Sequence, residues 1–352
     1  MKIPECRALI IQTAFPGDVV LTLPLAQQLK TALPGVRITF VATPAAAGLL
    51  ENHPSIDEVI LFDKKGADAG WRGMRRTARR IREQRCDIAY IPHRSLRSAL
   101  LAALARIPRR IGFDRSAGRW FLTESVRYDR SLHEIERNLS LLAGGGSSVL
   151  PPRPALFPSA RDVEAVDHLL RQWRSAGGWT GRMIGVAPGS VWATKRWPAE
   201  RFAAAAALLI ARGYAVVLLG SREDAPLCGR IESEVRSRGC LNAAGKLSLL
   251  QSAELIRRCE VLLSNDSAPV HLAAGVRTPV VAIFGPTSPG FGFAPRGPAD
   301  EILETNGLSC RPCAIHGGTT CPTGTFECML SIPPDRAADQ VETIIHAPHS
   351  HG

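Results

Sequence analysis

Four loops in this 352-residue sequence place small, cationic and carboxylate residues directly after apolar runs. Those are the residue types needed to hold an anion and accept a proton. The segment Asn265-Asp266-Ser267-Ala268-Pro269-Val270-His271 follows the apolar run 261–263 and opens a helix. The first N–H groups of such a helix lack partners and sit at its positive end, where a diphosphate fits. Asp266 or Ser267 serves equally well there as a simple helix cap. His271, one turn in, is either a donor to phosphate or sugar hydroxyls or a satisfied core histidine. A second loop, Pro188-Gly189-Ser190-Val191-Trp192-Ala193-Thr194-Lys195-Arg196-Trp197-Pro198, joins small residues that let backbone approach an anion to two cations. It lacks the second Gly of a Walker A loop. In the third, Gly220-Ser221-Arg222-Glu223-Asp224, a carboxylate suits ribose hydroxyls or a helix N-cap. In the first loop of the chain, Thr13-Ala14-Phe15-Pro16-Gly17-Asp18, Gly17 permits a tight turn. Asp18 stands at a helix start, where it accepts either a proton from a hydroxyl nucleophile or the backbone bonds of a cap.

The elements that must position these loops alternate. Short apolar, β-branched runs at 8–12, 37–41, 58–62, 87–91, 183–187, 215–219, 260–263 and 279–284 read as buried parallel strands. Helical patterns at 19–33, 71–85, 96–105, 199–212, 224–238 and 248–258 read as their crossovers. The Gly- and Pro-rich interval 144–158 continues neither kind of element and marks a hinge; the helix at 160–174 fits either side of it. The expected class is therefore α/β: two Rossmann-like, doubly wound parallel-sheet domains with ligand sites at the carboxyl ends of the strands, facing across a cleft. The boundaries expected are 1–160 and 161–332, then a final helix and tail over 333–352.

The formal net charge of +11 is unevenly spread. Residues 1–150 hold 23 Lys and Arg against 14 Asp and Glu, whereas 151–352 hold 20 against 18. Residues 64–110 alone carry 14 basic side chains and three acidic ones. That run is either a solvated helix face or a patch that attracts a polyanion. With Trp71 the only aromatic residue between Lys64 and Arg85, no base-stacking platform is apparent, so an anionic membrane or glycolipid is expected rather than nucleic acid. No run approaches the roughly 20 apolar residues needed to span a bilayer, and no export signal precedes Pro16. A cytoplasmic location with reduced thiols is the expectation for the nine cysteines. An Asp-x-Asp pair, His-Glu-x-x-His, Gly-x-Ser-x-Gly and an early Gly-x-Gly-x-x-Gly are all missing, which leaves leaving-group stabilisation to a cationic loop and a helix terminus.

Taken in order, Gly17-Asp18, Thr194-Lys195-Arg196-Trp197-Pro198, Gly220-Ser221 with its downstream acids, and 265–274 followed by Pro279-Val280-Val281-Ala282-Ile283-Phe284-Gly285-Pro286-Thr287-Ser288-Pro289 resemble the ADP-heptose:lipopolysaccharide heptosyltransferases of glycosyltransferase family 9. The resemblance runs from about residue 8 to about 345. It implies a GT-B fold, with the acceptor mainly on the first domain and the nucleotide sugar mainly on the second. It also implies inversion at the anomeric carbon and no required cofactor, ADP-heptose being the donor substrate. By the same resemblance Asp18 is the general base and Lys195 pairs with the donor diphosphate. Ser190 and Val191 line the phosphate loop, Asp224 meets the ribose and Leu247 the adenine. Asp266, Ser267, Ala268 and His271 surround diphosphate and heptose, with Ala268 standing where Gly is often found. The final helix is expected to cross back to the first domain.

Cys310-Arg311-Pro312-Cys313, Cys321-Pro322 and Cys328 resemble the cysteine-containing loop of heptosyltransferase II members, which add the second inner-core heptose. The four thiols also have the ligand count of a structural zinc site, though not the spacing of a standard ribbon. The resemblance gives the basic region a partner, the anionic lipid A inner core at the inner face of the inner membrane. Arg94, Arg97, Arg109 and Arg110 are the candidates to bind it.

Overall fold

The computed structural model describes residues 6–142 and 152–347, and it divides into unit 1, Met1–Phe157, and unit 2, Pro158–Gly352. The hinge expected at 144–158 lies largely outside the described residues, as do His349 and His351 of the tail.

Unit 1 contains β1 (Arg7–Ile11), α1 (Pro16–Ala32), β2 (Arg37–Ala42), α2 (Pro44–Ala47), β3 (Glu58–Leu61), α3 (Gly70–Glu83), β4 (Ile88–Ile91), α4 (Leu96–Leu104), β5 (Arg109–Phe113), β6 (Glu124–Val126) and α5 (Glu134–Leu139). Unit 2 continues with α6 (Ala160–Ser175), β7 (Met183–Ala187), α7 (Ala199–Ala211), β8 (Ala215–Leu218), α8 (Ala225–Val235), β9 (Cys240–Asn242), α9 (Leu249–Arg257), β10 (Val261–Asn265), α10 (Ala268–Val276), β11 (Val280–Phe284), β12 (Glu301–Glu304), α11 (Glu327–Leu330) and α12 (Pro334–His346).

Each unit holds one six-stranded sheet, and every pairing is parallel. The orders are β3-β2-β1-β4-β5-β6 and β12-β11-β10-β7-β8-β9. Read from the other edge, the second repeats the first. In both, strand order reverses beside the first strand, between β1 and β4 in unit 1 and between β7 and β10 in unit 2. The loops leaving the carboxyl ends of those strands diverge there and open a crevice.

The central strands form because their side chains are apolar on both faces and helices cover both. All residues of β4, β7, β8, β10 and β11 are buried. In unit 1 Leu9, Ile11, Ala89 and Ile91 pack with Met74, Ala78 and Ile81 of α3 and Leu101 and Ala102 of α4. In unit 2 Val186, Val216, Leu263 and Ile283 pack with Phe202 and Leu209 of α7 and with α12. The same packing assigns the remaining helices. The last helix belongs to the unit 2 core, where Ala337, Ala338, Val341, Ile344 and Ile345 share one cluster with Val281 and Ile283. It therefore buries its apolar face within unit 2. Helix α6 also belongs to unit 2, tied to α9 through Arg258, which is paired with both Asp167 and Glu254. Gly17 makes no turn: it is buried in the first turn of α1, and Pro16 starts that helix.

Candidate active site

Unit 1 brings the loops after β1, β3 and β4 together at its crevice. Asp18 lies in the first turn of α1 and accepts a hydrogen bond from the Phe15 N–H at 3.1 Å; Phe15 holds the N-cap position, and Asp18 bonds back to it from the third residue of the helix. The carboxylate is half-buried, at the carboxyl end of the sheet. From β4, His93 Nδ1 lies 3.0 Å from the Thr13 hydroxyl and 2.9 Å from that of Ser98, joining both sides of the reversal. Burial pushes the His93 pKa down to about 4, helped by the positive charges of Lys64 and Arg94. Lys64 donates to the Thr13 carbonyl. Burial lowers its pKa, and the neighbouring charges of Arg97 and Lys65 lower it further. Arg94 stacks 4.1 Å over the Tyr128 ring. Tyr128 also accepts a 2.8 Å hydrogen bond from Arg137, whose ion pair with buried Glu134 is 2.7 Å long. Burial raises the Glu134 pKa, against the pull of Arg137 and with the added push of the Asp18 charge.

Arg94 and Arg97 thus belong to this cationic edge, but Arg109 and Arg110 do not. Both open β5, whose amino end faces away from the crevice because the sheet is parallel. Arg109 is paired with Glu124 at 2.9 Å, and Arg110 donates to the carbonyls of Phe121 and Ile107. Their bonds run to the edge strand β6 and to the segments flanking β5. Lys64 entered the sequence reading only as the start of the basic run and His93 not at all, although each lies two residues beyond an expected strand, the same signal that singled out the other four loops.

Unit 2 gathers its loops in the same way. Lys195 Nζ lies 2.6 Å from Asp266 Oδ2, with both side chains largely buried. Thr287, after β11, donates to that same oxygen at 2.8 Å. Asn265, fully buried at the end of β10, accepts from the Trp197 N–H at 3.0 Å and donates to the Pro188 carbonyl at 2.7 Å. One side chain thereby pins both ends of the 188–198 loop. Arg196 turns back to the Ser190 carbonyl at 2.7 Å, which leaves Lys195 as the cation aimed inward. Helix α10 starts at Ala268 with no side-chain cap, because Ser267 donates to the Asn265 carbonyl and Asp266 is held by Lys195 and Thr287. His271 is buried; burial lowers its pKa to about 4, with Asp266 opposing and Lys195 assisting.

The remaining expected residues divide by environment. Asp224 lies against Gly189, where an added Cβ would stand 2.4 Å from the carboxylate, while adjacent Glu223 is exposed. The Asp224 carboxylate accepts from the Ser221 N–H at 2.9 Å and the Ser221 hydroxyl at 2.8 Å, bonds within the turn before α8, and its side chain does not cap that helix. Leu247 is half-buried on a loop bonded to Gly220 through the Gly245 N–H. Ser190 is buried and Val191 is exposed. Of the thiols, Cys313, Cys321 and Cys328 line one cavity of about 60 Å³. Among the described residues no group of three or more His, Cys, Asp or Glu side chains is arranged to hold a metal ion.

Comparison with known proteins agrees with this architecture. The family model for glycosyltransferase family 9 (heptosyltransferase) matches residues 74–320. The lipooligosaccharide heptosyltransferase 2 of Haemophilus influenzae is 31% identical, with 96% of this chain and 99% of that protein aligned. The lipopolysaccharide heptosyltransferase 2 of Salmonella typhimurium is 28% identical over 96% and 98%. Among solved structures, the ADP-heptose LPS heptosyltransferase II of E. coli superposes with a TM-score of 0.80 at 26% identity, covering 96% of this chain and 98% of that one. A family 9 glycosyltransferase from Veillonella parvula gives 0.85 at 27%, covering 98% of each. The doubled parallel sheets, the loops at their carboxyl ends and these relatives lead to one conclusion: the chain belongs to glycosyltransferase family 9, the heptosyltransferases, and has their GT-B fold.

Proposed function

We propose that this enzyme transfers L-glycero-D-manno-heptose from ADP-heptose to the heptosyl-Kdo inner core of lipid A, inverting the anomeric carbon. The observation that carries this reading is the buried Lys195–Asp266 pair, 2.6 Å long, beside the uncapped start of α10. A diphosphate, more highly charged than one carboxylate, competes for Lys195 and draws the N-terminal amides of α10 as well. Asp266, still held by Thr287, then accepts from sugar hydroxyls. Ser190, Val191, Ser267, Ala268 and His271 border that position, Asp224 serves the ribose and Leu247 the adenine. In the reaction Asp18 takes the proton from the acceptor hydroxyl as its oxygen attacks the anomeric carbon. The bond from that carbon to the diphosphate breaks, and the charge growing on ADP is met by Lys195 and α10. Lys64, Arg94 and Arg97 supply positive charge for the acid groups of the acceptor.

The second-heptose assignment rests on the heptosyltransferase 2 relatives and on the cysteine loop. Exposed Trp71, Arg72, Arg75 and Arg79 on α3 suit a peripheral position on the anionic inner face of the inner membrane. ADP release from ADP-heptose, with Kdo-lipid A and heptosyl-Kdo-lipid A offered separately, tests the function. Release is expected with the heptosylated acceptor alone. Release with the other alone makes this a first-heptose enzyme, and none with either points to another sugar donor.

A further inference from the structure

The segment 311–318, between β12 and α11, has no helix or strand and little core of its own; Ala314, Ile315 and His316 are exposed. Its polar bonds nevertheless converge on the two loops that hold the Lys195–Asp266 pair. At one end Arg311 donates to the Thr287 carbonyl at 2.9 Å, and the Cys313 N–H donates to the Pro286 carbonyl at 2.9 Å. Thr287 is the residue whose hydroxyl holds Asp266. Arg311 is itself anchored to Glu304 of β12 at 2.8 Å. At the other end Gly318 is bonded three times to Thr194, the neighbour of Lys195. The Gly318 N–H donates to the Thr194 hydroxyl at 2.8 Å, and that hydroxyl and the Thr194 N–H each donate to the Gly318 carbonyl at 3.1 Å.

Gly317 closes the circuit. Its φ of +86° belongs to the left-handed region, and a Cβ there would stand 2.9 Å from Lys195 Cγ and 3.1 Å from Trp192 Cβ. The strap backbone therefore lies directly on the methylene stem of the lysine. A lysine side chain has four rotatable bonds, and confining its stem cuts the rotamer entropy lost when its ammonium meets an anion. Behind the strap is the cavity lined by Thr194, Gly317, Gly318, Cys313, Cys321 and Cys328. The strap is thus held by its two ends and by the lysine stem, and is not packed solidly against the core.

We propose that segment 311–318 is a strap that positions Lys195 for the diphosphate of a nucleoside-diphosphate sugar, with Thr194, Gly317 and Gly318 as its positioning residues. The inference rests on the reading of Lys195 as the diphosphate partner. None of these three residues has to touch the donor; each acts through the lysine.

The test compares ADP binding by calorimetry and steady-state kinetics for the full chain and for Lys195→Ala, Thr194→Val, Thr194→Ser and Gly317→Ala. Loss of the Thr194 hydroxyl is expected to raise the ADP Kd and the donor KM about tenfold, the scale of one or two lost buried hydrogen bonds. Acceptor KM is expected to stay within twofold. Thr194→Ser, which keeps the hydroxyl, is expected to restore binding, and Gly317→Ala is expected to weaken it at least as much as Thr194→Val. If Lys195→Ala weakens ADP binding but Thr194→Val and Gly317→Ala do not, the strap is overturned while the site stands. If Lys195→Ala itself binds ADP like the parent, the reading of the site fails. Amide hydrogen exchange on the unmutated chain supplies a check that needs no variant to fold: ADP is expected to slow exchange over 313–320, and identical exchange with and without ADP overturns the proposal.

Discussion

Asp18 serves two masters. Its carboxylate closes the first turn of α1 through the Phe15 N–H and, in the proposed reaction, takes the acceptor proton. Asparagine keeps an oxygen for the Phe15 N–H and has no basicity, so Asp18→Asn separates the two roles. The expected outcome is a fall in kcat of about 10²- to 10⁴-fold, the usual worth of a general base. ADP binding measured by calorimetry and the thermal midpoint are expected to stay near parental values, and full turnover by the variant removes Asp18 as the base. The residue types at this scale were legible in the sequence, but their partners were not. Lys195 and Arg196 are adjacent cations in one loop, and nothing local says that the first meets Asp266 while the second turns back to Ser190. Arg94 and Arg110 looked alike as basic residues in one run, and only the direction of β5 separates them.

At the scale of elements, the loops are as well defined as the strand ends that hold them. Asn265 is the clearest case, because one buried amide ties β10 to both ends of the 188–198 loop. Asn265→Ala leaves the Trp197 N–H and the Pro188 carbonyl buried without that partner. The cost is expected to be about 2 kcal/mol or more, read from urea unfolding, together with weaker ADP binding as the loop loosens. All eight strands expected from apolar runs are present. Four others, β5, β6, β9 and β12, were not expected. Three are short strands at or near a sheet edge, and β5 opens with two arginines, so none shows a continuous apolar run. The apolar pattern reports burial on both faces, and strands near an edge are only partly covered.

For the whole molecule, three histidines, His53 and His271 buried and His93 half-buried, set a pH response. Burial lowers the pKa of His53, His93 and His271 from 6.5 to about 4 in each case. Above 6.5 the rings are neutral whether the chain is folded or not. As pH falls from 6.5 towards 4 the unfolded chain takes up protons that the folded chain refuses, so stability is lost through that window. Urea midpoints measured from pH 7.5 to 4.5 are expected to fall, and His53→Gln, outside both crevices, is expected to make the slope shallower. Net charge acts at the same scale. No helix among the described residues is long and apolar enough to cross a membrane; the proposed membrane contact rests on the exposed arginines of α3. Cosedimentation with vesicles containing anionic lipid is expected, weakening as salt is raised, with Arg75→Glu and Arg79→Glu together reducing it. Binding that ignores both salt and these charges removes α3 as the contact.

The sequence by itself determined the repeating βα pattern in both halves, the small and charged loops behind the strands and the resemblance to the heptosyltransferases. Each of these is written within a short segment, because hydrophobic periodicity and turn chemistry act between near neighbours. The tertiary structure alone decided which loops meet. Strand order set the two reversals that bring β1 beside β4 and β7 beside β10. Strand direction removed Arg109 and Arg110 from the crevice, and core packing kept α12 in unit 2. Those outcomes depend on which distant apolar faces bury one another, a property of the whole fold that no local pattern records.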